Sequence, residues 1–108
     1  MYSDVIIIGG GFAGTAAAIT LARANRNIQL IDSGAPRNRF SDHAHGILGL
    51  DGAAPAELLH RGHAEVKKFG GTITHGSVEK LTRTSEHEPW QAKLASGEVL
   101  ESRHVLIA

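Results

Sequence analysis

The sequence predicts an α/β fold: a mainly parallel sheet carrying a small antiparallel β-meander. Three observations predict it. Val5-Ile6-Ile7-Ile8 is an unbroken apolar run closed by Gly9-Gly10-Gly11, as in a strand buried on both faces. An alanine-rich stretch follows and gives way at Ile28 to a second apolar strand ending in Asp32-Ser33-Gly34. Further on, Trp90, Ala92 and Leu94 alternate ahead of a Ser96-Gly97 turn, the mark of an antiparallel pair.

The elements follow in order. Residues 12–24 are small and helix-compatible, and a helix this rich in alanine can lie close against a sheet; Asn25-Arg26-Asn27 ends it. Strand, glycine turn, helix and strand make one βαβ unit with a right-handed crossover. Residues 35–52 show no period and carry Pro36, Gly46, Gly49 and Gly52, so they read as a long ordered loop of the kind that serves function. Pro55 suits the first turn of a second helix, with Leu58, Leu59, Gly62, Val66 and Phe69 on its inner face and Gly70-Gly71 at its end. From Thr72 to Thr84 the pattern is one strand, or two broken at Gly76. Val99 begins the meander's return strand, and Val105-Leu106-Ile107 reads as another buried strand.

Composition removes several classes of function. The 108 residues, 42% of them hydrophobic, suit one small domain. Eleven basic and 11 acidic residues balance, so no nucleic acid and no anionic membrane is expected as a partner. At 5% aromatics there are too few rings for a base-stacking platform. Without cysteine, the chain has no disulfide framework, thiolate nucleophile or Cys-type zinc site of its own. The uncharged run from Val5 to Ala22 touches the length of a membrane helix, but four glycines and a β-branched start argue against one. Asp4 stands where a signal peptide has basic residues, so a cytoplasmic location is expected.

Chemistry is carried by Gly9-Gly10-Gly11-Phe12-Ala13-Gly14, a G-x-G-x-x-G between a predicted strand and a predicted helix. Gly9 permits the tight turn, Gly11 lets the backbone approach a pyrophosphate, and Gly14 lets helix and strand pack closely. The helix N-terminus then faces the phosphates. Alone the motif is weak, but Asp32 ends the next strand at the distance of a ribose-binding acid, and its charge disfavours a 2′-phosphate. This predicts a Rossmann-type dinucleotide site. The fingerprint does not separate FAD from NAD, so an NAD-linked dehydrogenase half-domain and a non-catalytic nucleotide-binding fragment stand as alternatives.

Other residues weigh less. His60 and His63 lie three apart on the second helix, and with nothing forcing ligands to converge they are read as solvent-facing; no metal site is expected. His43 and His45 follow Asp32 in the loop and should pass near the cofactor. His45 is the only candidate for a catalytic role, and a structural hydrogen bond weighs more. Arg37 and Arg39 suit either a pyrophosphate or a solvated turn. Trp90 fits the meander core better than a stacking role.

The string Asp4 to Gly14, then Leu30-Ile31-Asp32, then His104 to Ala108, resembles the FAD domain of two-dinucleotide-domain flavoprotein oxidoreductases, most of all the thioredoxin-reductase-like enzymes. Within these, Arg37-Asn38-Arg39-Phe40 and His43-Ala44-His45-Gly46 are similar to the dithiol-oxidase branch. The resemblance covers nearly the whole chain. It implies that Gly9, Gly11, Phe12 and Ala13 line the pyrophosphate of FAD and that Asp32 holds the adenosine ribose; Gly14, Ser33, Arg39 and His45 are expected in the same cofactor site. It also implies that Val78 meets adenine through its backbone and that Ala108 begins an Ala-Thr-Gly turn beside the flavin. The expected partners are a small-molecule dithiol or disulfide or a redox protein, with NAD(P)H acting through a domain outside this sequence, in a homodimer. Departures also carry information. The loop after Asp32 lacks the redox cysteine pair of glutathione-reductase-type relatives, and Arg37-Asn38-Arg39-Phe40 stands where thioredoxin reductases tend to have Gly-Gly-Gln-Leu. The 108 residues are therefore expected to form the N-terminal part of an FAD-binding domain. The last strand's outer edge is expected to need a partner strand outside this sequence.

Overall fold

The computed structural model describes residues 2–34 and 55–108. The loop read over 35–52 lies outside the described residues, and with it Arg37, Arg39, Phe40, His43 and His45. The described elements are β1 (Tyr2–Ile8), α1 (Phe12–Arg23), β2 (Ile28–Asp32), α2 (Pro55–Lys68), β3 (Thr72–His75), β4 (Val78–Thr82), β5 (Trp90–Leu94) and β6 (Val99–Ile107). They form one mixed sheet in the order β3-β2-β1-β6-β5-β4. The four strands from β3 to β6 run parallel, and β6, β5 and β4 form the antiparallel meander.

The apolar run of β1 is divided between two cores by strand alternation. Ile7 joins Ile28 and Leu30 of β2 beneath Ala18 and Ala22 of α1 and Val66 of α2. Ile6 and Ile31 face the other way and pack with Ala92, Leu94 and Leu100. Since β5 lies two places from β1 in the sheet, the meander must curl over this second face to share a cluster with it. Both faces of β1 and β2 are thereby covered, which is why these strands read as continuous hydrophobic runs. The α1 side of the first core is built from small residues, with Gly14, Ala18 and Ala22 buried at four-residue spacing.

Both helices end in the same left-handed turn. After α1, Asn25 takes φ 62°, with its N–H on the Ala22 carbonyl and the Arg26 N–H on Leu21. After α2, Gly70 takes φ 92°, with its N–H on Lys67 and the Gly71 N–H on Val66. This Schellman pattern satisfies carbonyls that each helix end leaves open.

The C-terminal strand departs from the sequence reading. Val99 to Ile107 is one nine-residue strand, not a return strand followed by a separate one. Its outer side pairs with β5 from Val99 to Ser102, so part of the edge expected to lack a partner is occupied within the chain. Its inner side pairs with β1 as far as Ile107. Val105-Leu106-Ile107 is not buried as the apolar run suggested: Leu106 and Ile107 are exposed. Phe69, placed on the inner face of α2, is partly exposed too, with the Arg23 guanidinium 5.4 Å from its ring centroid. No described helix is long and apolar enough to cross a membrane.

Candidate dinucleotide-binding site

The site forms where three parallel strands end together. The Gly9 N–H donates to the Ile31 carbonyl and the Ala108 N–H to the Ile8 carbonyl, both at 3.0 Å, tying the carboxyl ends of β1, β2 and β6. Gly9 adopts φ 121°, a conformation that a side chain resists. A Cβ on Gly14 would overlap the Gly9 carbonyl oxygen, so α1 starts directly against the turn. Ala108 closes the same corner, its carbonyl 2.9 Å from where a Gly9 Cβ would stand.

Gly11 is the N-cap of α1, with no side-chain cap and no acidic residue in the first turn. The first N–H groups of a helix lack intrahelical acceptors, and the dipole makes that end positive. The first turn of α1 thus brings no carboxylate of its own to this end. Phe12 is half-buried and Ala13 exposed at this end.

Asp32 ends β2 beside the turn. Its Oδ1 accepts the Gly34 N–H at 2.9 Å, and its carbonyl accepts the Gly76 N–H at 2.9 Å, which brings the start of β4 and Val78 toward the same end of the sheet. The carboxylate is 15% exposed, enough to reach a ligand. Two imidazoles approach its Oδ2: His75 Nδ1 at 3.8 Å and His63 Nδ1 at 4.0 Å. Ser33 is exposed next to it.

The structure thus gathers Gly9, Gly11, Phe12, Ala13, Gly14, Asp32 and Ala108 at one end of the sheet, while Arg39 and His45 lie outside the described residues. Two residues escaped the sequence reading. Gly10, a free position of the motif, has no room for a side chain because a Cβ there would stand 2.5 Å from Asp32 Cγ. His63, read as solvent-facing, is only 18% exposed, and its Nε2–H donates to the Gly10 carbonyl at 3.0 Å. Its one sequence signal is the neighbouring Gly62, where a Cβ would stand 2.7 Å from Thr15 Cγ2, so glycine lets α2 close on α1. His60 is exposed, as read. A separate cavity of about 490 Å³ opens at the start of β1, lined by Tyr2, Arg83, Trp90, Arg103 and His104 among others. It sits at the end of β1 remote from the glycine turn. We take the strand ends as the site, since the motif, the helix N-terminus and Asp32 converge there.

Sheet order, glycine turn and strand-end acid define a Rossmann-type α/β domain of the dinucleotide-binding class. The likeness to known proteins is more particular. A family model described as pyridine nucleotide-disulphide oxidoreductase matches residues 3–108. The thioredoxin reductase tcpT of Claviceps purpurea is 44% identical over 63 residues, 58% of this chain and 20% of that protein. The thioredoxin reductase of Bacillus subtilis is 29% identical over 107 residues, 97% of this chain and 33% of that protein. The crystal structure of HlmI matches with a TM-score of 0.91 at 41% identity, over 98% of this chain and 34% of that one. The chain belongs to the pyridine nucleotide-disulphide oxidoreductase family, among its thioredoxin-reductase-like members. It spans a third or less of the length of the curated relatives named here.

Proposed function

We propose that this chain holds the ADP half of FAD in a thioredoxin-reductase-like oxidoreductase. The observation that carries the reading is the uncapped N-terminus of α1, set between the Gly9 turn and Asp32 with space that only glycines leave. The backbone N–H groups of Gly11, Phe12 and Ala13 would receive the pyrophosphate, with Gly9 and Gly14 fixing the turn. Asp32 would accept hydrogen bonds from the adenosine ribose beside Ser33. Val78 would meet adenine through its backbone, Arg39 would neutralise phosphate charge, and Ala108 would lead the chain toward the flavin, with His45 nearby. Bound FAD supplies two-electron transfer between a dithiol or disulfide and its redox partner; these residues bind and orient it.

Substrates in this reading are dithiols or disulfides, of a small molecule or a redox protein, in a cytoplasmic homodimer, with NAD(P)H acting through a separate domain. Arg37-Asn38-Arg39-Phe40 favours small-molecule dithiol oxidation over reduction of thioredoxin. Titration of the purified protein with FAD and, separately, with NAD, read by fluorescence quenching, tests the reading. Saturable FAD binding with a visible flavin spectrum is expected. Preference for NAD, or no nucleotide binding, overturns it.

A further inference from the structure

We propose that His63 is a positioning residue for the dinucleotide site, acting through the Gly10–Gly11 peptide; the proposal rests on the FAD reading and adds a residue to it. The Gly10 carbonyl accepts two hydrogen bonds, from His63 Nε2–H at 3.0 Å and from the Thr15 hydroxyl at 3.2 Å. A carbonyl oxygen only accepts, so Nε2 carries the ring proton. In a trans peptide the C=O and the following N–H point in opposite directions. Holding the Gly10 carbonyl toward α1 and α2 therefore aims the Gly11 N–H outward, at the helix N-terminus where a pyrophosphate is to be received. Glycine on both sides of this peptide leaves rotation cheap unless the carbonyl is held.

Three further features place the ring for this task. At 18% exposure its hydrogen bond is sheltered from competing water. Its Nδ1 stands 4.0 Å from Asp32 Oδ2, so one side chain borders both the glycine turn and the ribose-side acid. The approach of α2 that brings it there depends on Gly62 against Thr15. His75 also nears Asp32, at 3.8 Å, but is 73% exposed. His63 makes its contact with the turn, not with the cofactor, so it acts by orientation.

The test compares the wild-type protein, His63→Leu and His63→Gln in FAD titrations, with backbone amide relaxation measured without FAD. Leucine keeps the bulk and helix propensity but removes the donor. It is expected to weaken FAD binding about threefold to tenfold, the range of one hydrogen bond, at a near-normal melting temperature. It should also bring millisecond exchange broadening to the Gly10 and Gly11 amides, which a bulk packing role would not do. Glutamine, whose amide N–H reaches the same carbonyl, is expected to restore both. If the leucine variant does not fold, His63→Asn, too short to reach Gly10, replaces it with the same expected loss. A leucine variant that binds FAD like wild type, or a glutamine variant no better than leucine, overturns the role of His63 alone. Absence of FAD binding by wild type overturns the FAD reading and this role with it.

Discussion

Gly10 and Asp32 share a space in which only one of them can carry a side chain. A methyl group on Gly10 would stand 2.5 Å from Asp32 Cγ and 2.6 Å from its Oδ1, well inside van der Waals contact. The free position of a glycine motif is thus set by the acid that ends the next strand. Gly10→Ala is expected to displace the Asp32 side chain, whose Cβ also lies 2.6 Å from the added methyl, and to weaken FAD binding, while costing little in a protein that already carries Asp32→Gly. A double-mutant cycle of FAD affinities measures this coupling, and strictly additive effects would contradict it.

Asp32→Ala alone is expected to weaken FAD binding by about 1–3 kcal/mol, since charge-assisted hydrogen bonds to the ribose hydroxyls are lost. Fluorescence-quenching titration reads the change directly. Unaltered affinity would remove Asp32 from the site.

Gly11 and Gly14 are expected to fail differently. Gly11 has φ −76°, open to any residue, so Gly11→Val should fold and lose dinucleotide binding through the blocked backbone approach. A Cβ at Gly14 meets the Gly9 carbonyl, part of the backbone, so Gly14→Ala should lower stability by about 1–3 kcal/mol or more. Urea unfolding and flavin retention, measured on both variants, separate the two defects.

At the end of α1, Asn25→Ala is expected to cost about 0.5–1.5 kcal/mol, because both residues carry a Cβ at φ 62° but alanine lacks the local hydrogen bonding that lets asparagine take this conformation. Asn25→Gly should keep or raise the melting temperature. Equal melting of the two variants would show that the left-handed turn does not limit stability.

Beyond Ser102 no described strand pairs with the outer side of β6, and Leu106 and Ile107 are 40% and 72% exposed there. An apolar open edge invites pairing with another chain. This edge is therefore expected to mediate self-association, and Ile107→Lys should shift the protein toward monomer in sedimentation. Association unchanged by the lysine would place the contact elsewhere.

The unit from β1 to β2 was legible because its signals are local. An apolar run, three glycines, a stretch of small residues and Asp32 follow one another within a few turns of chain, and each sets its own backbone. Asn25 and Gly70 mark helix ends for the same reason. The β6 strand was not legible as one element, because its pattern changes where its neighbours change: Leu100 and Ser102 alternate inward beside β5, then an apolar run continues beside β1 alone.

By itself the sequence determined the βαβ unit, the meander and the glycine–aspartate pair, since periodicity and turn chemistry act over short separations. Only the tertiary structure decided that Gly10 makes room for Asp32 and that His63 holds the Gly10 carbonyl. These contacts join residues far apart in the chain, His63 and Gly10 by 53 positions. Such contacts arise from how α2 packs on α1, and the only local mark of that packing is Gly62, which stands against Thr15.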